Sequence, residues 1–164
     1  MIEFINVESE EQIHQVKELA WEIFHEHYDE YLEPDHVEFF LQKYQSVDAI
    51  RGYLDDGQQY YLLHFDNRLA GYLALERRES CLRISKLYIL DQFRNKKIGD
   101  QALSFSLERA KEMGVTEIDL FVNENNHGGI RFYKRYGFII DGAMTHSYEN
   151  GHTEVDIRMT LSLS

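Results

Sequence analysis

The stretch Leu87-Tyr88-Ile89-Leu90-Asp91-Gln92-Phe93-Arg94-Asn95-Lys96-Lys97-Ile98-Gly99-Asp100 constrains this chain more than any other. Strand-forming residues run into a polar, basic turn. That turn runs straight into an amphipathic helix pattern from Ile98 to Met113, closed by Gly114. A helix entered this way leaves unpaired backbone N–H groups and the positive end of its dipole at one spot, where an anion can bind. Arg94, Lys96 and Lys97 add positive charge there, and Gly99 lets a ligand approach the backbone. The glycines of a Walker A loop or a Rossmann fingerprint are missing, so the segment is neither. Taken alone it also reads as a solvated basic turn.

The remaining pattern surrounds this segment with a mixed sheet. Ile2 to Val7 reads as a strand, and the Ser9/Gln12 capping box opens a helix towards Tyr28 with Ile13, Val16, Ala20, Ile23 and Phe24 on one face. Pro34-Asp35 starts a second helix, and Val47 to Leu54 a short third turn of helix. Tyr60 to Phe65 and Leu69 to Leu75 are strands joined by the hairpin signature Asp66-Asn67-Arg68. Cys81 to Leu90 is another strand, with apolar residues at Leu82 and Ile84 and then at Leu87 and Ile89. Thr116 to Val122 is a strand and Asn126 to Tyr136 a short helix stopped by Gly137. Two strands follow, with a turn at Asn150-Gly151. The expected fold class is α/β (α+β): about seven strands in a twisted mixed sheet, helices on both faces and at least one parallel pair around Ile98 to Met113. No proline- or glycine-rich stretch marks a boundary, so residues 1–164 are expected to form a single domain.

Charge narrows the function. The net charge of −12 lies entirely before residue 61, where Lys17, Lys43 and Arg51 face fifteen acidic residues. Such a surface repels nucleic-acid phosphate and steers cations, although solubility alone also explains it. No apolar run approaches the ~20 residues that span a bilayer, and the first residues lack a signal-peptide layout, so the expected location is cytoplasmic. Cys81, the single cysteine, excludes a disulfide framework and any multi-cysteine zinc site. His25-Glu26-His27 has the wrong spacing for a helical zinc site, which needs histidines at i and i+4; no metal is expected.

A second motif lies downstream, Val122-Asn123-Glu124-Asn125-Asn126-His127-Gly128-Gly129-Ile130-Arg131-Phe132-Tyr133-Lys134-Arg135-Tyr136-Gly137-Phe138. With it the chain resembles the GNAT superfamily of acyl-CoA-dependent N-acyltransferases. The family's Arg/Gln-x-x-Gly-x-Gly/Ala loop falls on Arg94 to Gly99, and its Asn…Tyr…Gly-Phe signature on Asn126, Tyr133, Gly137 and Phe138. The resemblance implies the GNAT fold over the whole chain and acetyl-CoA as cosubstrate. It implies that Leu87, Tyr88 and Ile89 pair with the pantetheine arm and that the amides of Asn95, Lys96, Lys97, Ile98, Gly99 and Asp100 hold the pyrophosphate. It also gives Asn126 a hydrogen bond to pantetheine and makes Tyr133 the acid for the leaving thiolate. A phenol suits that task, since its pKa of ~10 exceeds that of a thiol, ~8.5. Two positions depart from the family: Lys97 stands at its first glycine, and Gly129 replaces its usual alanine.

The general base is open. The position where relatives often carry glutamate is Ser85; Glu76, Glu124 and an ordered-water relay are the substitutes. The acceptor is open too. The acidic helices line the acceptor side in this family, and Gly142 to Leu161 is similar to the end of some bacterial polyamine acetyltransferases. A small cationic amine is therefore the first expectation, with Glu22, Glu26 and Tyr28 contacting it, and Tyr31 and Tyr148 adding aromatic wall. A protein or peptide N-terminus or a lysine is the rival acceptor, and a non-catalytic acyl-CoA-binding module is the rival class. A homodimer is compatible with the chain, although no stretch specifies its interface.

Overall fold

The computed structural model describes residues 1–28 and 33–163. Helix α1 (Glu10–Tyr28) follows strand β1 (Ile2–Asn6) and starts at the expected capping box: Ser9 N–H donates to Gln12 Oε1 at 2.9 Å, and Gln12 N–H to Ser9 Oγ at 3.2 Å. Helix α2 (Pro34–Tyr44) has proline in its first turn, and α3 (Val47–Asp55) is capped by Ser46. The third turn of helix is thus a full element. Strands β2 (Gln59–Phe65) and β3 (Arg68–Arg78) meet at Asp66 and Asn67, both left-handed (φ 49° and 65°), as a tight hairpin demands. Then come β4 (Cys81–Ile89), a 3₁₀ turn (Asp91–Phe93), α4 (Ile98–Met113), β5 (Glu117–Asn123), α5 (His127–Arg135), β6 (Ile139–Ser147) and β7 (Thr153–Ser162). The last turn is longer than a two-residue Asn-Gly hairpin. Gly151 N–H closes a turn onto the Tyr148 carbonyl, and the strands resume at Thr153.

The sheet order is β1-β2-β3-β4-β5-β7-β6, with every pair antiparallel except β4 and β5. Helices cover both faces. Phe24 of α1 packs on Tyr88, and Tyr88 on Tyr72, on one face. Phe105 of α4 packs on Phe4 and Tyr61 on the other. Tyr60, Tyr72, Leu62, Leu63, Leu73 and Leu103 are almost fully buried between these layers.

Two features of β4 create the site. Its register with β3 slips between Ile84 and Lys86, so Ser85 is the extra residue of a β-bulge. Because of that slip, Leu82, Ile84, Leu87 and Ile89 all lie opposite odd-numbered β3 residues and share the α4 face, while Lys86 and Tyr88 point to the α1 side. Pairing with β5 also stops there: Cys81 to Ile84 are matched with Glu117 to Leu120, and β5 pairs with nothing on β4 beyond Ile84. The two strands splay into a gap. At the closed end the fully buried Asp119 accepts two bonds from Arg83 (3.1 and 3.0 Å) and one from Arg158 (2.9 Å), tying β4, β5 and β7 together. On the other edge of β4, a Cβ on Gly71 would collide with the Tyr88 carbonyl oxygen, so glycine is needed for β3 to lie close.

Candidate active site

The gap opens onto the start of α4. Leu90 leads through the 3₁₀ turn to Arg94, and the chain then turns with Asn95 and Lys97 left-handed (φ 62° and 60°). Lys97 therefore adopts the backbone a glycine would take, at roughly 1–2 kcal/mol. Lys97 caps α4 without a side-chain bond, and its carbonyl already accepts from Gln101 N–H. The N–H groups of Ile98, Gly99 and Asp100 are the orphans of the first turn, the donor set expected for an anion. Among the described residues Lys96 and Lys97 form no ion pair, whereas Arg94 is engaged, its Nε 2.9 Å from Asp91 and its Nη2 2.6 Å from His27 Nε2. Gly99 lies between Phe132 of α5 and Ile89, where an added Cβ would meet them in ordinary contact at 3.4 and 3.8 Å.

Helix α5 forms the opposite wall. Asn126 caps it, its Oδ1 accepting from Gly129 N–H at 2.9 Å, which leaves its Nδ2 donors for a ligand. A Cβ at residue 129 would come within 2.7 Å of Asn126 Nδ2, so glycine in place of alanine makes room for this cap. Tyr136 donates to Asp100 and locks the end of α5 to the start of α4. Tyr133 is half-buried against Phe132 and Phe138, and desolvation pushes its phenol up to about 12. It stays protonated at neutral pH.

On the α1 side a cleft of about 220 Å³ is lined by Phe40, Tyr44, Ser85, Lys86, Tyr148 and Asp156, among others. Lys86 is its main chemical feature. Its Nζ donates to Tyr60 Oη at 2.6 Å and lies 3.9 Å from the centre of the Tyr53 ring. Desolvation lowers it to about 7, with Glu76 the opposing influence. Across the cleft, burial raises the Asp156 carboxyl, while His146, 3.5 Å away, works the other way. Tyr28 is raised by burial and then by Glu154 and Asp156, so it shares the field of those two carboxylates. Tyr148 donates to Glu154 at 3.1 Å.

The structure thus brings together Leu87, Tyr88 and Ile89 on the free edge of β4, the Asn95–Asp100 turn, Asn126, Tyr133, Tyr28 and Tyr148. It places Glu22 and Glu26 elsewhere. Both are exposed on α1 outside the cleft, and Glu26 accepts from Asp91 N–H at 3.1 Å, bracing the 3₁₀ turn. Tyr31 lies outside the described residues. Ser85 Oγ donates to Gln58 (3.1 Å) or the Ala74 carbonyl (3.2 Å), and Gln58 in turn donates to Glu76 at 3.4 Å. Glu124 is exposed. Cys81 is buried beside Asp119, and desolvation pushes its thiol up to about 12, unsuited to attack at neutral pH. Sequence reasoning missed Lys86 and Asp156; the signal for Lys86 was a second cation, besides Arg83, inside an otherwise apolar strand.

Comparison with known proteins agrees with this geometry. Residues 13–138 match the family model described as Acetyltransferase (GNAT) family. An uncharacterized N-acetyltransferase of Mycobacterium tuberculosis is 30% identical over 132 residues, 79% of this chain and 84% of the relative. A spermidine N(1)-acetyltransferase of Thermoplasma acidophilum is 29% identical over 76 residues, 46% of this chain and 47% of that protein. The crystal structure of the PaiA N-acetyltransferase from Thermoplasma acidophilum, in complex with coenzyme A, superposes with a TM-score of 0.80 at 21% identity, covering 99% of both chains. Among the described residues no helix is long and apolar enough to cross a membrane.

Proposed function

The chain belongs to the GNAT acetyltransferase family and is an acetyl-CoA-dependent N-acetyltransferase; from that premise we propose that its acceptor is a small polyamine-like alkylammonium, acetylated by direct attack in a ternary complex. One observation carries this reading. The cleft beside the splayed strands sets Lys86, held near 7, against an aromatic wall and the Asp156 carboxylate. Aromatic faces with a desolvated carboxylate suit an alkylammonium, and a relative named for spermidine points the same way.

Acetyl-CoA supplies the thioester. The N–H groups of Asn95 to Asp100, with Lys96 and Lys97, bind its pyrophosphate, and Leu87, Tyr88, Ile89 and Asn126 Nδ2 orient the pantetheine arm along the gap. Asp156 and Tyr28 hold the distal ammonium of the acceptor, leaving a neutral amine at the splay. As the C–N bond forms and the C–S bond breaks, Lys86 Nζ takes the surplus proton of the amine and Tyr133 gives its phenolic proton to the departing thiolate. Lys86 keeps a free lone pair because its contact with Tyr60 uses an N–H.

A panel of acceptors tests the assignment. Spermidine and spermine are expected to exceed a neutral-ended monoamine of equal length and an alanine-initiated peptide by about tenfold or more in kcat/KM, with a salt-sensitive KM. Preference for the peptide would overturn it.

A further inference from the structure

Helix α2 and the β6–β7 turn meet at three metal-ligating side chains that acetyl transfer does not use. His36 lies in the first turn of α2, His152 just before β7, and Glu154 within β7. The two imidazoles stack with centroids 3.7 Å apart. Glu154 Oε1 is 3.4 Å from His152 Nε2 and 3.7 Å from His36 Nε2, and the three ligand atoms lie within 4.8 Å of one another. An ion bound tetrahedrally at about 2.0–2.1 Å would set such atoms about 3.3 Å apart. The two Glu154 contacts therefore need only small shifts, whereas the two imidazoles must swing apart for their in-plane lone pairs to meet one ion.

A second observation is independent of this clustering. The His36 side chain is 5% exposed, yet its Nε2 has no hydrogen-bond partner. Leaving such a nitrogen orphaned is costly unless something occupies the space it faces. We propose that His36 Nε2, His152 Nε2 and Glu154 Oε1 bind one divalent transition-metal ion of the zinc class, which pins α2 to the β6–β7 turn. Two imidazoles and a carboxylate are the donor set such an ion favours, with a fourth position left for water. Outer contacts already orient the ligands: Tyr148 donates to Glu154 Oε2 at 3.1 Å, and the Asn150 amide lies 2.9 Å from His36 Nδ1. Asn150 Oδ1 accepts from His152 N–H at 3.2 Å while its Nδ2 faces the His36 ring. Binding therefore requires this amide to turn and give up the His152 bond, after which it accepts the Nδ1 proton and frees Nε2 for the ion. Tyr148 also lines the acceptor cleft, so the ion would brace that wall from behind. The exposed group Glu26, His27 and Asp91 is a weaker competitor, since Arg94 already occupies the His27 ring.

The test is titration of chelator-stripped full-length protein with Zn²⁺ against a chromophoric chelator, and with Co²⁺ read by its d–d absorption. One equivalent is expected to bind with release of protons, giving a low-coordinate cobalt spectrum. His152→Ala and Glu154→Gln should each weaken binding by about a hundredfold, and His27→Ala should leave it unchanged. Melting curves establish that the variants are folded, and the two partly exposed positions keep the test valid if His36→Ala fails to fold. Absence of a stoichiometric equivalent in the wild type, or binding that survives both variants, would overturn the proposal.

Discussion

Replacing Lys86 by methionine separates chemistry from stability, because the two should move in opposite directions. Methionine keeps the length and apolar stem of lysine but cannot take a proton. A lysine held at about 7 instead of its ordinary 10.5 forfeits close to 5 kcal/mol of stability at neutral pH, at about 1.4 kcal/mol per pKa unit. The exchange also leaves the buried Tyr60 hydroxyl without its 2.6 Å donor, which returns about 1–3 kcal/mol of that gain. A net stabilisation of roughly 2–4 kcal/mol follows, or about 5–15 °C in Tm for a domain of this size. The unfolded chain binds the Lys86 proton between pH 7 and 10.5 while the folded chain does not. Wild-type stability therefore rises with pH across that window, and the advantage of the variant shrinks. Turnover should fall about 10²-fold or more, and the acidic break near pH 7 in kcat/KM should vanish. Tyr53, Tyr60 and Glu76 face Lys86 from α3, β2 and β3, with His146, Tyr148 and Asp156 across the cleft, so His146→Gln serves as the control for that break. Thermal melts and pH–rate profiles of the three proteins decide the matter. A destabilised Lys86→Met protein that keeps its turnover and its pH break would refute the reasoning.

Other perturbations address the remaining parts. Tyr133→Phe keeps the ring against Phe138 and removes the proton, so turnover should drop about 10²–10⁴-fold with Tm and coenzyme A affinity nearly unchanged in calorimetry. Lys97→Gly relieves the left-handed backbone and should raise stability by about 1 kcal/mol in urea unfolding, while loss of the cation raises the KM for acetyl-CoA several-fold. Asp156→Asn should raise the KM for spermidine about tenfold and leave that for acetyl-CoA alone, as read from crossed saturation curves. Gly129→Ala should destabilise by about 1 kcal/mol in the same unfolding assay, because the new methyl displaces the Asn126 cap.

The elements legible in the sequence were those whose signals are local. The Ser9/Gln12 capping box, the left-handed Asp66-Asn67 turn and the glycine closing α4 each depend on a few neighbouring residues, and each stands where the sequence put it. The bulge at Ser85 was written there as well: the apolar positions switch from even at Leu82 and Ile84 to odd at Leu87 and Ile89. One inserted residue restores all four to one face. The acceptor wall was harder, because charge counted along the chain does not say which way a helix faces. The acidity of α1 suggested Glu22 and Glu26, but the apolar stripe of that helix packs on the sheet and turns both carboxylates outward. The carboxylate of the cleft comes from β7, more than a hundred residues away, and reaches Lys86 only through a long-range strand order that periodicity does not encode.

A crystal structure with acetyl-CoA and an unreactive polyamine analogue would show both substrates in the β4–β5 gap. The account predicts pyrophosphate on the N–H groups of Asn95 to Asp100 and the pantetheine arm beside Leu87 to Ile89. It places the thioester at the Ser85 bulge, with Tyr133 Oη within about 3.5 Å of the sulfur and Lys86 Nζ on the side of the bound amine. A cofactor seated outside the β4–β5 gap, or a thioester from which both Tyr133 and Lys86 point away, would contradict it.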